Sequence, residues 1–260
     1  MFPPIVMPGT VRGHIQPSVC AEIGVDYDFD VVAAGSHDTA SAVYTAMADV
    51  NDPATTAYLS SGTWSLLGVL ADEPVLTEAA REGGFTNEGA VGGKIRLLQN
   101  ITGLWLLQEL MAGWKARGEE LSYPELVGLS RESSCATVID VDDPAFASAK
   151  DMERAITDYC RAHGLDVPQT KGDFGRCVML SLADRYRRGI ETINQLLPSP
   201  VTCLRIIGGG SRNELLNELT GAATGLPIIA GPAEATAIGN ILIQAATAGI
   251  DPASIDIDAD

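Results

Sequence analysis

Between Cys203 and Ala248 the chain passes twice from a short, largely apolar run into a helical one, and few architectures accept that order. Cys203 to Ile207 reads as a strand, Gly208-Gly209-Gly210 as a turn and Asn213 to Thr224 as a helix. Leu226 to Ala230 then reads as a second strand and Glu234 to Ala248 as a second helix. Two strands joined through a helix run parallel, and a parallel pair is normally covered on both faces. Upstream, Thr56 to Ser60 and Thr63 to Val69 are strand-like runs parted only by Ser61-Gly62, which predicts an antiparallel pair. Together these runs predict an α/β domain whose mixed β-sheet is flanked by helices on both faces.

The remaining segments fill in that plan. Phe29 to Ala34 (FDVVAA) reads as a buried strand, and Asp38 to Met47 as a helix of small residues able to pack closely. Asp72 to Gly93 reads as a long polar surface excursion, Lys94 to Leu98 as a strand, and Gly103 to Ala116 as a helix with Leu104, Leu107, Met111 and Trp114 on one stripe. Ser130 to Ala149 reads as an acidic loop, followed by helices over Met152 to His163 and Phe174 to Leu197, the second stopped by Pro198 and Pro200. No internal repeat is visible.

Charge and cysteine usage narrow the function classes. With 34 acidic against 17 basic side chains the 260 residues carry a formal net charge of −17, which repels nucleic acid and anionic membranes. Cys20, Cys135, Cys160, Cys177 and Cys203 are odd in number and scattered, without a C-x-x-C pair, as expected for a reduced, cytoplasmic protein. Cys160 and Cys177 fall on successive helices that could bring them together, though two buried thiols is the simpler expectation. His14, His37 and His163 lie too far apart to suggest a metal centre, and no zinc spacing occurs. No apolar run is long enough to span a bilayer, and the start (MFPPIVMPGT) lacks the basic region of a signal peptide.

Four constellations can carry chemistry. In Gly35-Ser36-His37-Asp38-Thr39 a carboxylate stands where a strand ends and a helix begins. There it can accept a proton from a substrate hydroxyl, or simply cap the helix. The hairpin tip in YLSSGTWSLLG (58–68) offers backbone amides and the Thr63 hydroxyl, which suit a phosphate or an ordinary turn. In LRIIGGGSRNELLNELTGAATG the glycine triplet lets a flat or phosphorylated ligand approach the backbone, and Ser211 with Glu214 is spaced as a capping box. In LLQNITGLWLLQE (97–109), Asn100 follows a strand and Gln108 lies on the next helix, around a Trp105 and leucines that read as core. Neither a G-x-x-x-x-G-K-[ST] loop nor a G-x-S-x-G elbow is present.

Taken in order, GSHDTASAV, YLSSGTWSLLG, TNEG, LLQNITGLWLLQE, IIGGGSRNELLNEL and AGPAEATAIGN resemble the carboxy-terminal domain of the FGGY carbohydrate kinases, from about Pro3 to Ile250. The resemblance implies one of two actin-like (ribonuclease H-like) ATPase domains, with ATP, Mg²⁺ and a ketose meeting in the cleft between them. Within the family it is closest to the branch acting on L-rhamnulose, which implies the 1-phosphate as product. Asp38 would be the catalytic base, flanked at the sugar by His37 and Thr39, with Asn100 also on the substrate side. Thr63, Gln108 and Gly209 would contact the nucleotide, with Asn213 a further candidate. No residue is assigned to a metal.

The family's amino-terminal domain carries a D-x-G-T phosphate loop and most sugar-binding residues, and residues 1–260 contain neither. The apolar, proline-rich start and the acidic tail DPASIDIDAD both read as cut ends, and by the resemblance the family's last helix would be missing after Asp260. The expectation is therefore a nucleotide-side domain with little or no kinase activity by itself. The alternatives are a non-catalytic nucleotide-binding module or a folded relic of such a kinase.

Overall fold

The structure, a computed structural model, describes residues 4–35 and 37–255. An N-terminal ribbon comprises β1 (Val11–His14), α1 (Pro17–Ile23) and β2 (Asp30–Val32). Helix α2 (Asp38–Met47) leads into the hairpin β3 (Thr56–Ser61) and β4 (Trp64–Ala71). After α3 (Glu78–Glu82) come β5 (Phe85–Gly89) and β6 (Ile95–Thr102). A helical stretch follows: α4 (Trp105–Ala116), α5 (Tyr123–Glu132), α6 (Pro144–Ala147), α7 (Met152–Ala162) and α8 (Lys171–Leu196). The chain then runs through β7 (Cys203–Ile207), α9 (Glu214–Thr224), β8 (Ile228–Ala230) and α10 (Ala235–Thr247).

Six strands form one mixed sheet in the order β5-β6-β4-β3-β7-β8. The first three pairings are antiparallel, and β3, β7 and β8 are parallel. The C-terminal ends of these three strands therefore share one edge, where the β3–β4 turn and the glycine triplet emerge. Because side chains alternate across a strand, the sheet separates two cores. On one face Leu59, Leu67, Leu97, Ile101 and Ile206 pack with Leu107 of α4, Leu182 of α8 and Leu216 of α9. On the other, Tyr58 and Leu98 meet Val43 and Met47 of α2, while Ile207 meets Ala42 and Ala46 of α2 and Ala235 of α10.

Several expectations change on contact with the structure. The FDVVAA run is not a buried strand: its strand is Asp30–Val32, paired with β1 and continued by backbone bonds at Phe29 and Ala33, and Phe29 and Val31 are exposed. An apolar run signals an apolar face, but whether a second layer covers it is decided elsewhere in the chain. The excursion from Asp72 to Gly93 contains α3 and the edge strand β5, whose polar Thr86-Asn87-Glu88 suits a strand with one paired side. Asn87 also holds the preceding loop, accepting from Val75 N at 2.9 Å and donating to Val75 O at 3.0 Å. The acidic stretch from Ser130 takes in the end of α5 and the short α6. The start of α5 is marked by a Ser122–Glu125 capping box with a proline in the first turn, a signal that apolar periodicity does not register. All five cysteines are free, with Cys160 and Cys177 buried. Among the described residues, no helix is long and apolar enough to cross a membrane.

Candidate functional site

The β3–β4 turn is held down by the helix that starts beside it. Leu104 N donates to Gly62 O (2.9 Å) and Trp105 N to Thr63 O (3.2 Å), so amides at the N-terminus of α4 find partners in the turn. Gly103 allows this approach, since a Cβ there would stand 2.6 Å from Gly62 O. The backbone is thus fixed while the tip stays open: Thr63 and Gln108 are both exposed, and Thr63 Oγ1 donates to Gln108 Oε1 at 3.3 Å.

Below the tip, Ser61 and Ser65 form the last registered pair of the hairpin. The fully buried Tyr186 of α8 is hydrogen-bonded to Ser65, Oη to Oγ, at 2.7 Å. Burial pushes the Tyr186 phenol up to about 12, against the opposing hydrogen bond from Ser65, so the group stays protonated. Tyr186→Phe keeps the ring and strands a buried serine hydroxyl. It is expected to cost about 1–3 kcal/mol, read as a lower urea midpoint at unchanged m.

The glycine triplet divides into two roles. Gly208 has φ +83°, and a Cβ there would lie 2.8 Å from Ser61 O; a Cβ on Gly210 would lie 2.1 Å from Ser61 Oγ. Both glycines therefore serve the packing of this loop against the end of β3. Gly209 is different: it is exposed, and a Cβ there would meet nothing within 4 Å. The chain's own packing does not require a glycine at 209, whereas a ligand lying flat on the loop would.

At the start of α2 the N-cap is His37, not Asp38. His37 Nδ1 lies 3.3 Å from the Thr39 amide and 3.1 Å from Asp38 Oδ1. Asp38 is the first helical residue, and its Oδ1 accepts from Thr39 N (2.7 Å) and Thr39 Oγ1 (3.3 Å). The Asp38 side chain is 75% exposed, and among the described residues its Oδ2 has no hydrogen-bond partner. A carboxylate held by one oxygen and open to solvent at the other is arranged to accept a proton. Thr39 is buried and spends its hydroxyl on Asp38.

The candidate residues fall into two groups. Thr63, Gln108 and Gly209 gather around the strand ends, joined by their common anchorage on Ser61 to Ser65 and α4. Asn100 is exposed on β6 opposite Leu66, on the sheet face where Tyr58 and Leu98 pack against α2, the helix at whose start His37, Asp38 and Thr39 stand. Asn213 belongs to neither. It is buried, caps α9 by accepting from Leu216 N at 3.0 Å, and donates to Tyr123 Oη at 2.9 Å, which leaves nothing for a ligand. The expected Ser211–Glu214 capping box is therefore replaced by Asn213, because Ser211 is taken into a 3-10 turn before the helix. Tyr186 was not singled out by sequence, since an aromatic in a long helix reads simply as core.

Comparison with known proteins gives the family and the fold. The profile of the C-terminal domain of the FGGY family of carbohydrate kinases matches residues 57–248. A rhamnulokinase from Bacteroides thetaiotaomicron is 47% identical over 95% of this chain and 50% of its own length. One from Oceanobacillus iheyensis is 37% identical over 94% of this chain and 50% of its own. Among solved structures, xylulose kinase from Rhodospirillum rubrum superposes with a TM-score of 0.70 at 16% identity, covering 99% of this chain and 49% of that one. Gluconate kinase from Lactobacillus acidophilus gives 0.69 at 12% identity, over 95% and 49%. The fold is the actin-like α/β ATPase fold, and the chain spans about half the length of the curated relatives it matches.

Proposed function

The chain belongs to the FGGY family of carbohydrate kinases, and from that premise we propose that it is the nucleotide-side domain of an ATP-dependent kinase of the cytoplasm that phosphorylates L-rhamnulose at its 1-hydroxyl. The observation that carries this reading is the Asp38 carboxylate, fixed at Oδ1 and open at Oδ2. Asp38 takes the proton of the sugar hydroxyl as its oxygen attacks the γ-phosphorus of ATP; the bond to the β-phosphate oxygen breaks and ADP leaves. Thr39 holds the carboxylate, His37 flanks it at the sugar, and Asn100 faces the sugar on the same side of the sheet. Thr63 and Gln108 lie at the phosphates, and the bare backbone at Gly209 supports the adenosine. Mg²⁺ bound with ATP would neutralise part of the phosphate charge. Among the described residues no three His, Cys, Asp or Glu groups converge on a metal position, and an ion bound with ATP would draw its ligands chiefly from the nucleotide's phosphates.

Phosphoryl transfer is mainly positioning and charge stabilisation, and both depend on a closed cleft. We therefore assign the opposite wall, with its share of sugar and phosphate contacts, to an N-terminal domain. A coupled ADP-release assay with ATP, Mg²⁺ and L-rhamnulose tests this. The isolated chain is expected to give no turnover above the ATP blank, and the chain joined to the N-terminal half of the Bacteroides relative is expected to turn over. Full activity of the isolated chain overturns the division of labour. ADP binding by calorimetry, with no turnover in the joined protein on any ketose, identifies instead a nucleotide-binding module, the reading that open Gly209 alone would support. A chain that binds no nucleotide in either form is a folded relic.

A further inference from the structure

Trp64, the first residue of β4, is 61% exposed at the edge of the sheet where the hairpin turns. Among the described residues the other exposed aromatic rings, Tyr27 and Phe29, belong to the N-terminal ribbon. The backbone of Trp64 is fixed: Gly62 N donates to Trp64 O at 2.9 Å, Trp64 is in register with Thr102, and a Cβ on Gly103 would stand 2.7 Å from Trp64 C. A rigid strand thus presents a free ring. Alternation along β4 puts that ring on the face of Leu66 and Leu70, which pack with Tyr58, Leu98 and Val43. Asn100, opposite Leu66, is its diagonal neighbour there, within reach of a long side chain. Helix α2 lies on the same face and runs against the strand direction. Arg205 Nη1 of β7 donates to Ala46 O at 2.8 Å, while Ile207, farther along that strand, packs with Ala42 as well as Ala46. The start of α2, with Asp38, therefore lies toward the end of the sheet from which Trp64 emerges. Thr63, one residue earlier, bonds instead to Gln108 of α4, whose Leu107 packs on the opposite face. The tip divides, Thr63 toward α4 and Trp64 toward α2.

We infer that Trp64 is a specificity-determining residue on the sugar side, its indole covering the methyl group of a 6-deoxyketose. The inference rests on the functional reading above, with Asp38 as base and L-rhamnulose as acceptor. The polar groups at this end of the face, Asp38, His37 and Asn100, can hydrogen-bond sugar hydroxyls but offer nothing to an alkyl group. Trp64 is the apolar surface that accompanies them, and a few placed polar groups beside an aromatic wall are the usual make-up of a small-molecule site. L-Rhamnulose is 6-deoxy-L-fructose: the two ketoses differ only in carrying CH₃ or CH₂OH at the end of the chain remote from the reacting 1-hydroxyl. A methyl laid on the indole leaves water favourably, whereas a hydroxymethyl in the same place is desolvated without gaining a partner. The contact orients and selects the sugar and takes no part in the transfer of the phosphoryl group.

The test compares L-rhamnulose with L-fructose in the coupled ADP-release assay, using the chain joined to an N-terminal half. The unsubstituted protein is expected to prefer L-rhamnulose. In Trp64→Ala that preference, as a ratio of kcat/KM values, should fall about 10-fold, the scale of one methyl group in an apolar site. The loss should fall on KM for L-rhamnulose, because the methyl is covered alike before and during transfer, and KM for ATP should hold. Trp64→Phe keeps a ring face and should restore most of the preference. Both sugars are measured on one preparation, so the ratio does not depend on how much of a variant is folded. Equal losses on the two ketoses would make Trp64 a general wall of the cleft, and a raised KM for ATP would put it at the nucleotide; either result overturns the inference. So does an unsubstituted protein that does not distinguish the two sugars, which leaves Asp38 and the kinase reading intact. No turnover of L-rhamnulose by the unsubstituted protein is the failure of that reading itself, and the inference falls with it.

Discussion

Asp38→Asn, made in the chain joined to an N-terminal half, is expected to lower kcat about 10³-fold, within the range that a positioned general base contributes. KM for ATP should change little, because the proposed function puts Asp38 at the sugar and not among Thr63, Gln108 and Gly209. The geometry makes the substitution clean. Asparagine keeps an oxygen for the Thr39 amide, now 2.7 Å from Asp38 Oδ1, and His37 remains the helix cap. Only the charge and the proton-accepting capacity of the open oxygen are lost. The exposed site predicts a stability cost below about 1 kcal/mol, from the lost carboxylate–helix interaction alone. Fall in kcat with preserved melting and preserved KM identifies an interaction made in the transition state. Unchanged turnover of L-rhamnulose in the coupled assay would remove Asp38 from the chemistry and return it to a purely local role.

That assignment also shows where sequence suffices and where it stops. Local signals were legible: the βαβα order from Cys203 places β7, α9, β8 and α10 within a few residues, and Ser61-Gly62 correctly predicts a hairpin tip. What sequence could not resolve are competitions between neighbours. Asp38 reads as a cap of α2 and Ser211 as the cap of α9, yet His37 and Asn213 are the residues that cap them; which one does so depends on the turn that precedes the helix. The glycine triplet reads as uniformly permissive, yet only the close approach of Ser61 separates Gly208 and Gly210 from Gly209. Layering was equally hidden, because local pattern does not tell that β2 pairs only with β1 and keeps an exposed face, or that β5 lies at the sheet edge with β6 on one side alone. The site's long-range supports, Tyr186 beneath the hairpin and α4 behind it, are tertiary facts carried by residues that look like ordinary core.

The same limit appears, with a larger energetic consequence, where α2 crosses α10. The small residues of α2 suggest close packing, but the structure shows against what. A Cβ on Gly239 would stand 1.9 Å from Ser41 O, 2.5 Å from Ser41 C and 2.8 Å from Thr45 Oγ1. Thr45 Oγ1 also donates to Ala235 O at 2.8 Å, and Ala42 and Ala46 pack with Ala235, so the two helices touch through backbone and methyl groups. The nearest obstacles to a methyl are backbone atoms of α2, not the end of a flexible side chain. Gly239→Ala therefore has to displace α2, which also tears at the Val43 and Met47 contacts with Tyr58 and Leu98 on the sheet. The expected cost is about 3 kcal/mol, at the upper end of overpacking effects, and exceeds any gain in helix propensity of about 1 kcal/mol. Urea denaturation measures it, with Gly209→Ala as the control: the same methyl added where nothing lies within 4 Å should leave the midpoint unchanged. Equal midpoints for the two variants would show that α2 is free to slide over α10. Because Asp38 opens α2, the position of the proposed base would then be set by the loop before it and not by this crossing.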